Sequence, residues 1–222
     1  MKLSQLTMNM PELLELTADV EIGALTANSR EKCVNGLFFC IRGGTVDAHN
    51  FAPQAIENGC VALVVEYKLD IDCPQVLVTD VRAAMTRIAS AFNGHPQQRM
   101  KLIGITGTKG KTTTTFLLKS IFEAAGIRCG IIGTTGCIAG NTKLPSKLTT
   151  PDPIEMFQIL RIMADAGVVS LLGSLVSPAM QPVVPMMPQR IPAASKMLLS
   201  RKVVVVLPFV PVMPMSFMRC CG

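Results

Sequence analysis

Short apolar runs alternate with segments of helical periodicity along the first 97 residues. Three apolar runs have the length of strands: residues 37–41, 61–65 and 76–79. Two segments have the three-to-four-residue apolar spacing of helices: residues 51–58 and 81–92. Asp80 immediately precedes the second helix and is of a type that favours N-caps. The alternation predicts a small α/β domain over residues 1–97, ending in the polar, proline-broken segment 95–99.

The same alternation resumes after this segment and predicts the start of a second α/β domain over residues 98–169. It predicts strands at residues 101–106 and 129–134, each followed by a helix, at residues 112–125 and 154–166. The second strand is expected to lie beside the first through a right-handed crossover. The helices are expected to turn two sets of side chains inward: Phe116, Leu117, Ile121, Phe122 and Ala125 in the first, and Ile154, Phe157, Ile159, Leu160 and Met163 in the second.

Residues 170–222 have a different composition. They contain no Asp or Glu and eight of the fifteen prolines. Prolines at this density interrupt helices and central strands, so we expect this Pro- and Met-rich tail to be disordered or misfolded, with residues 203–206 as one possible strand. Its apolar run is too short and too often broken to span a membrane.

Charge and cysteine content narrow the class of protein. The formal net charge is +6, but the tail alone contributes +5, and residues 1–169 hold 16 basic and 15 acidic residues. With no basic stripe interleaved with aromatic residues, nucleic-acid binding is not expected. The eight cysteines form no C-x-x-C pair and lie mostly in apolar runs, which favours reduced thiols over a zinc site. The N-terminus lacks the pattern of a signal peptide, so we expect a cytoplasmic protein.

A glycine-rich loop stands between the strand 101–106 and the helix 112–125. Strand, glycine-rich turn and helix are the context of a phosphate-binding loop, with Gly107, Thr108, Lys109, Gly110, Lys111, Thr112 and Thr113 as the candidate ATP-binding residues. Lys111 would reach the terminal phosphates as the catalytic cation, and the Thr112 hydroxyl would ligate Mg²⁺. The glycines at 104, 107 and 110 depart from the strict G-x-x-x-x-G-K-[ST] spacing. A glycine turn with a solvated lysine is the alternative.

Two further segments could contact a ligand. Ser29 and Arg30 lie near the turn of Gly44, Thr45 and Val46, and hydroxyl, guanidinium and backbone N–H donors together suit a nucleotide diphosphate. A solvated Ser-Arg turn explains the same residues equally well. Thr149 and Thr150, before Pro151, could bind a ligand or only cap the following helix.

The loop Gly-Ile-Thr-Gly-Thr-x-Gly-Lys-Thr-Thr resembles the ATP loop of the Mur ligases and their folate-polyglutamate relatives. The first domain, with Asn28-Ser29-Arg30, looks like the uridine-binding domain of the MurE-type branch, in which Asp usually stands at the position of Asn28. The resemblance implies an N-terminal UDP-sugar-binding α/β domain followed by the start of a P-loop central domain. It implies that Ser29, Arg30, Gly44, Thr45, Val46, Thr149 and Thr150 contact the UDP-muramoyl substrate. His49 stands at a position where that branch often has histidine. For His49 two roles remain open, a contact with the ligand or a structural role.

The reaction that the resemblance implies is ATP-dependent addition of a diamino acid to UDP-N-acetylmuramoyl-L-alanyl-D-glutamate in peptidoglycan synthesis. In the family mechanism the substrate carboxylate attacks the γ-phosphate of ATP, and the amine then displaces phosphate from the acyl phosphate. Lysine and diaminopimelate remain open as the diamino acid. The alternatives are a non-catalytic UDP-sugar- and ATP-binding fragment, another P-loop NTPase or, within the family, a muramate-alanine or folate-type ligase.

The family pattern is expected to stop near residue 169. A MurE-type chain continues with a strand ending in Glu-Val-Ser-Ser, whose Glu binds Mg²⁺, and with a domain for the amino acid, and residues 170–222 match neither. We therefore expect a reading frame lost near residues 168–170 and a truncated chain without ligase activity. A natural low-complexity extension is the alternative.

Overall fold

The computed structural model describes residues 1–107, 109–145, 151–173 and 203–206. Thr108, Thr149 and Thr150, together with most of the predicted tail, lie outside the described residues. No helix in the described part of the chain is long and apolar enough to cross a membrane.

The first 99 residues form a five-stranded sheet with helices on both faces. The elements are α1 (Leu3–Leu6), β1 (Leu13–Leu16), β2 (Ala24–Thr26), β3 (Gly36–Phe39), a 3₁₀ turn (Ala48–Phe51), α2 (Ala52–Glu57), β4 (Cys60–Val65), β5 (Gln75–Val78), α3 (Val81–Phe92) and a second 3₁₀ turn (Pro96–Arg99). The strand order is β1-β5-β4-β3-β2, in which only β1 runs antiparallel to its neighbour.

Alternation along the strands divides the core of this sheet into two layers. Leu37 and Phe39 face α3, whereas Phe38 and Leu63 face α2. The Asp80 side chain caps α3 by accepting hydrogen bonds from the backbone N–H groups of Arg82 (2.8 Å) and Ala83 (3.0 Å), which confirms the predicted N-cap.

The following residues form a six-stranded mixed sheet. Its elements are β6 (Lys101–Gly107), α4 (Lys111–Ala124), β7 (Cys129–Gly133), β8 (Gly136–Ala139), β9 (Thr142–Leu144), α5 (Pro153–Asp165), β10 (Ser170–Gly173) and β11 (Val203–Val206). The strand order is β11-β6-β10-β7-β8-β9, with β6, β10 and β7 parallel. The α/β fold class is confirmed.

Two sequence expectations about this sheet are wrong. β7 does not lie beside β6, because β10 pairs with both and separates them. β10 also carries the ordered sheet past residue 169, where the tail was expected to begin. Its residues Ser170 to Gly173 are all buried, so this short, mostly apolar segment has the composition of a strand covered on both faces.

The inward face of α4 also differs from the expectation. Phe116, Leu117 and Ile121 are 39%, 55% and 53% exposed, and Ala125 is exposed as well. The helix instead packs Thr115, Leu118, Lys119 and Phe122 against the sheet. Of the predicted set only Phe122 is partly buried. By contrast, all five apolar positions predicted for α5 are buried.

The two sheets are joined through a helix contact. α3 packs against α5, with Ile154 in the apolar cluster of the first sheet and Ala89 in that of the second. Arg99 Nη1 and Asp165 Oδ1 are 2.7 Å apart at the exposed rim of this contact.

Candidate functional site: a phosphate loop and a uridine-type loop

The candidate phosphate loop leaves the carboxyl end of β6 and enters α4. β6 ends at Gly107, Lys109 and Gly110 are exposed, and Lys111 is the first residue of α4. Gly110 occupies the N-cap with φ +80°, a left-handed conformation that glycine adopts without a clash from Cβ. The predicted strand, glycine turn and helix are therefore present.

The first turn of α4 directs backbone N–H groups toward this loop. The first helical hydrogen bond runs from Thr114 N to Gly110 O, at 2.9 Å. The N–H groups of Thr112 and Thr113 precede it and point out of the helix N-terminus, where the helix dipole adds partial positive charge. Such an end suits a phosphate group.

The side chains of this turn match the needs of a nucleotide and its metal. Thr115 Oγ1 donates to the Lys111 carbonyl at 2.8 Å, so this threonine is committed to the helix. Thr112 is half-buried in the first turn, where its hydroxyl could ligate Mg²⁺ beside a bound phosphate. The residues present thus fit ATP and Mg²⁺.

The carboxyl end of β10 lies next to the strand that carries the loop. In the sheet Gly173 pairs with Gly104 of β6 and with Ile132 of β7. This strand reads Ser-Leu-Leu-Gly and contributes no carboxylate beside the loop.

Ser29 and Arg30 follow the carboxyl end of β2, and Ser29 is held by Gln54 of α2 and by Asn58 at the C-cap of that helix. The Ser29 hydroxyl donates to Gln54 Oε1 (2.8 Å), and the Ser29 carbonyl accepts from Asn58 Nδ2 (2.7 Å). Asn28 Oδ1 accepts from the Arg30 backbone N–H at 3.1 Å. An aspartate at position 28 would offer the same acceptor, which explains how Asn28 can replace it. Arg30 itself is exposed and available to a ligand.

Gly44, Thr45 and Val46 lie in an exposed turn that follows β3. The Gly43 N–H donates to the Val46 carbonyl at 2.8 Å and closes the turn. β2 and β3 are neighbouring parallel strands, so the Ser29 loop and this turn begin at the same edge of the sheet. Ligands of open α/β sheets commonly bind at that edge.

His49 is a structural residue. It is 2% exposed, its Nε2 accepts from the Glu66 backbone N–H at 3.1 Å, and its Nδ1 therefore donates to Asp47 Oδ1 at 2.5 Å. Its ring also stacks on Tyr67, with centroids 4.2 Å apart. Both ring nitrogens are used inside the domain, so of the two roles left open for His49 the structure supports the structural one.

The start of α5 bears on the role of Thr149 and Thr150. Asp152 is the N-cap, and its Oδ1 accepts from the Glu155 backbone N–H at 2.8 Å, with Pro153 as the first helical residue. Because Asp152 performs the capping, the helix does not require the two threonines as caps.

Sequence reasoning missed Gln54 and Asn58. Gln54 lies in the short helix α2 and Asn58 is its C-cap, four residues further on, a spacing that places two side chains on one side of a helix. That spacing was the available signal, but it does not identify Ser29 as their common partner.

The cysteines of the described regions are free thiols. They are Cys33, Cys40, Cys60, Cys73, Cys129 and Cys137. Burial raises the pKa of Cys40 and of Cys60 to about 12, so both stay protonated and poorly nucleophilic near neutral pH.

Comparison with known proteins places the chain in a family. Residues 105–172 match the Mur ligase middle domain. The chain is 42% identical over 169 residues to the UDP-N-acetylmuramoyl-L-alanyl-D-glutamate–2,6-diaminopimelate ligase of Geobacillus thermodenitrificans, covering 76% of this chain and 35% of that protein. It is 40% identical over 169 residues to the enzyme of the same name from Listeria monocytogenes serotype 4b, covering 76% of this chain and 34% of that protein.

Solved structures show the same fold. A UDP-N-acetylmuramoyl-L-alanyl-D-glutamate–2,6-diaminopimelate ligase gives a TM-score of 0.60 at 23% identity, over 78% of this chain and 36% of the other. MurF from Acinetobacter baumannii gives 0.53 at 22% identity, over 82% and 38%. The chain spans about a third of the length of the curated relatives named above. With a glycine-rich loop that runs from a parallel strand into a helix, and with these similarities, the chain belongs to the Mur ligase family.

Proposed function

We propose that this chain is the nucleotide-binding N-terminal part of an ATP-dependent amide ligase that acts in peptidoglycan synthesis. The reaction proposed for the whole ligase adds diaminopimelate to UDP-N-acetylmuramoyl-L-alanyl-D-glutamate. The observation that carries this proposal is the Gly107–Thr113 strand-loop-helix segment within the matched middle domain. The names of the relatives support diaminopimelate over lysine.

Each loop has a distinct role in the proposed reaction. Gly107, Thr108, Lys109, Gly110 and the first turn of α4 bind the phosphates of ATP through backbone N–H groups, and Lys111 adds the catalytic positive charge. Mg²⁺ held by Thr112 would neutralise phosphate charge. Because phosphoryl transfer depends on positioning and charge neutralisation, these residues supply what that step requires from this part of the ligase.

The first domain is proposed to hold the UDP-muramoyl substrate. Arg30 offers a guanidinium to the diphosphate, Ser29 offers a hydroxyl, and the turn Gly44, Thr45 and Val46 offers backbone groups. Thr149 and Thr150 are proposed to contact the same substrate near α5. The free thiols and the nucleotide substrates support a cytoplasmic location.

A binding module without ligase activity is the second candidate. The observation in its favour is that the chain spans about a third of its relatives' length. Equilibrium binding and product formation separate the candidates. The N-terminal part of a ligase would bind both UDP-N-acetylmuramoyl-L-alanyl-D-glutamate and ATP. ADP would be released only by a longer chain that also binds the amine. An unrelated P-loop NTPase binds ATP alone, and a UDP-sugar module binds the muramoyl nucleotide alone.

The 222-residue chain is expected to bind both nucleotides and to form no amide when diaminopimelate is added. ADP release that depends on both the muramoyl substrate and diaminopimelate would contradict this expectation. It would show instead that the chain is catalytically sufficient.

A further inference from the structure

The turn of residues 44–46 is tied to a neighbouring strand through Asp47, the residue that follows it. Asp47 Oδ1 accepts hydrogen bonds from the backbone N–H and from the ring of His49. The other carboxylate oxygen, Oδ2, accepts a hydrogen bond from the Tyr67 hydroxyl at 3.0 Å. Because Tyr67 lies two residues beyond the last residue of β4, this bond joins the end of the turn to the carboxyl end of that strand.

Two contacts fix the position of the Tyr67 side chain. Its ring stacks on the ring of His49, with the ring centroids 4.2 Å apart and the planes inclined by 18°. His49 is itself held by the Glu66 backbone N–H, which donates to its Nε2 at 3.1 Å. The direction of the bond to Asp47 is also fixed, because an ionised carboxylate only accepts hydrogen bonds and the tyrosine hydroxyl must donate.

The turn has a separate set of bonds that gives it its shape. The Gly43 N–H donates to the Val46 carbonyl at 2.8 Å and closes the turn upon itself next to β3. This bond leaves the turn free to tilt as a unit, whereas the bond between Tyr67 and Asp47 fixes its position relative to β4. Tyr67 is 44% exposed, so much of its ring contributes little to the core of the domain.

We propose that Tyr67 is a positioning residue that holds the turn of residues 44–46, through Asp47, in the geometry that binds the muramoyl nucleotide. This inference rests on the proposed function, because it requires that the turn contacts that substrate. Tyr67 itself acts without touching the substrate. When its hydroxyl is missing, the turn has to be ordered during binding, and this ordering lowers the affinity.

Calorimetric titration of the full chain tests the proposal with Tyr67→Phe, which removes only the hydroxyl. This variant is expected to bind UDP-N-acetylmuramoyl-L-alanyl-D-glutamate about two- to tenfold more weakly than the wild type, the size of one hydrogen bond, and to bind ATP·Mg²⁺ unchanged. Ser4→Ala is the matched control, because the Ser4 hydroxyl also donates to a carboxylate of the first domain, Asp19 Oδ2, at 2.9 Å. It should bind both ligands as the wild type does.

A second substitution separates positioning from direct contact with the substrate. In a chain that already carries Asp47→Ala, Tyr67→Phe should cause no further loss of affinity for the muramoyl nucleotide, because the partner of the hydroxyl is gone. Losses that add would show that Tyr67 contacts the substrate itself, and they would overturn the positioning role.

The absorbance of Tyr67 gives a readout that a merely structural role would not change. Tyr67 is the only tyrosine and the chain has no tryptophan, so the near-ultraviolet absorbance of tyrosinate follows this residue alone. Burial, followed by the hydrogen bond from Tyr67 to Asp47 and the charge of that carboxylate, raises the pKa of Tyr67. Cys40 raises it further, and the nearby Arg42 lowers it.

The muramoyl nucleotide is expected to raise the pKa of Tyr67 further, because a fixed turn favours the bond that requires the protonated hydroxyl. ATP·Mg²⁺ should leave that pKa unchanged. The shift should vanish in Asp47→Ala, where a direct effect of the diphosphate charge would persist. A pKa of Tyr67 that is the same with and without the muramoyl nucleotide would overturn the proposal.

The outcomes distinguish this inference from the proposed function. Wild-type affinity in Tyr67→Phe, or an equal loss of affinity for both ligands, would overturn the positioning role while leaving the muramoyl-nucleotide site in place. A wild-type chain that binds no muramoyl nucleotide would overturn the proposed function itself.

Discussion

At the scale of single residues, Asp47 organises the turn beside the candidate uridine site. Its carboxylate accepts from the backbone N–H of His49 (3.0 Å), from the His49 ring and from the Tyr67 hydroxyl (3.0 Å). The hydrogen bond from the His49 backbone N–H holds the pKa of Asp47 below its usual value, and the hydrogen bond from the His49 ring lowers it further. The ionised carboxylate is thus favoured in the folded state.

This lowered pKa predicts a pH dependence of stability. A carboxyl group whose pKa is lower when folded contributes stability above its unfolded pKa and loses that contribution as the pH falls through its folded pKa. Asp47→Asn should therefore lower the urea midpoint at neutral pH, and the difference from wild type should shrink below about pH 4. Urea unfolding from pH 3 to pH 7 measures this. A difference that stays constant with pH would show that the charge of Asp47 is unimportant.

Residue types alone predicted part of the candidate sites. Gly110 and Lys111 were predicted from the strand, glycine turn and helix pattern, and the structure has them at the start of α4. Outside the candidate sites, Asp80 was predicted as an N-cap from its residue type, and it caps α3. The hydrogen bonds from Gln54 and Asn58 to Ser29 could not be predicted, because they join residues 25 and 29 positions apart in the chain. Local patterns carry no information about such pairings.

At the scale of elements, α4 shows where apolar periodicity misleads. The expectation that its bulky apolar residues turn inward failed because Thr115 and Lys119 are buried with their polar groups satisfied. Thr115 donates to a helix carbonyl, and Lys119 Nζ lies 2.6 Å from Glu123 Oε1. Satisfied polar groups can occupy an inward face, and the exposed Phe116, Leu117 and Ile121 then form an apolar outer face.

Adjacent leucines in α4 provide a matched test of this orientation. Leu118→Ala should lower the free energy of unfolding by about 1 to 2 kcal/mol, because Leu118 packs against the buried core of the sheet. Leu117→Ala should change it by less than about 0.5 kcal/mol, because that side chain is mostly exposed. Urea unfolding of both variants gives the comparison, and a reversed order would mean that the inward face is the one predicted from periodicity.

The edge of the second sheet leads to another prediction. β11 pairs antiparallel with β6 and places Val203 beside Gly107 and Val206 beside Gly104, directly before the candidate phosphate loop. A chain ending at residue 201 would expose this edge, and unpaired edges exchange their amide hydrogens quickly and pair with other chains. Hydrogen exchange should therefore increase at residues 104–107 while residues 62–65 of β4 remain as protected as before.

Unchanged exchange at residues 104–107 in that shortened chain would mean that β11 does not protect the edge in solution. Size-exclusion chromatography of the same chain is expected to show self-association.

At the scale of the whole molecule, the sequence was sufficient for the α/β class but not for the strand order. The positions of most strands and helices followed from periodicity within short windows. β10 could not be placed between β6 and β7 in this way, because strand order depends on contacts across more than 40 residues, between Ser170 and Cys129 for example. The family likeness carried the functional interpretation, through the loop at residues 104–113 and through Asn28, Ser29 and Arg30.

We infer that one chain carries two nucleotide sites with separate determinants. The first measurement is therefore calorimetric titration of the wild-type chain, Arg30→Ala and Lys111→Met with two ligands, ATP·Mg²⁺ and UDP-N-acetylmuramoyl-L-alanyl-D-glutamate. Lys111→Met should weaken ATP binding by about ten- to a hundredfold, the size of a charge-assisted hydrogen bond, and leave the muramoyl nucleotide unaffected. Arg30→Ala should weaken binding of the muramoyl nucleotide and leave ATP binding unaffected. Two separate nucleotide sites would be contradicted if each variant weakened both ligands equally, or if the wild-type chain bound neither ligand.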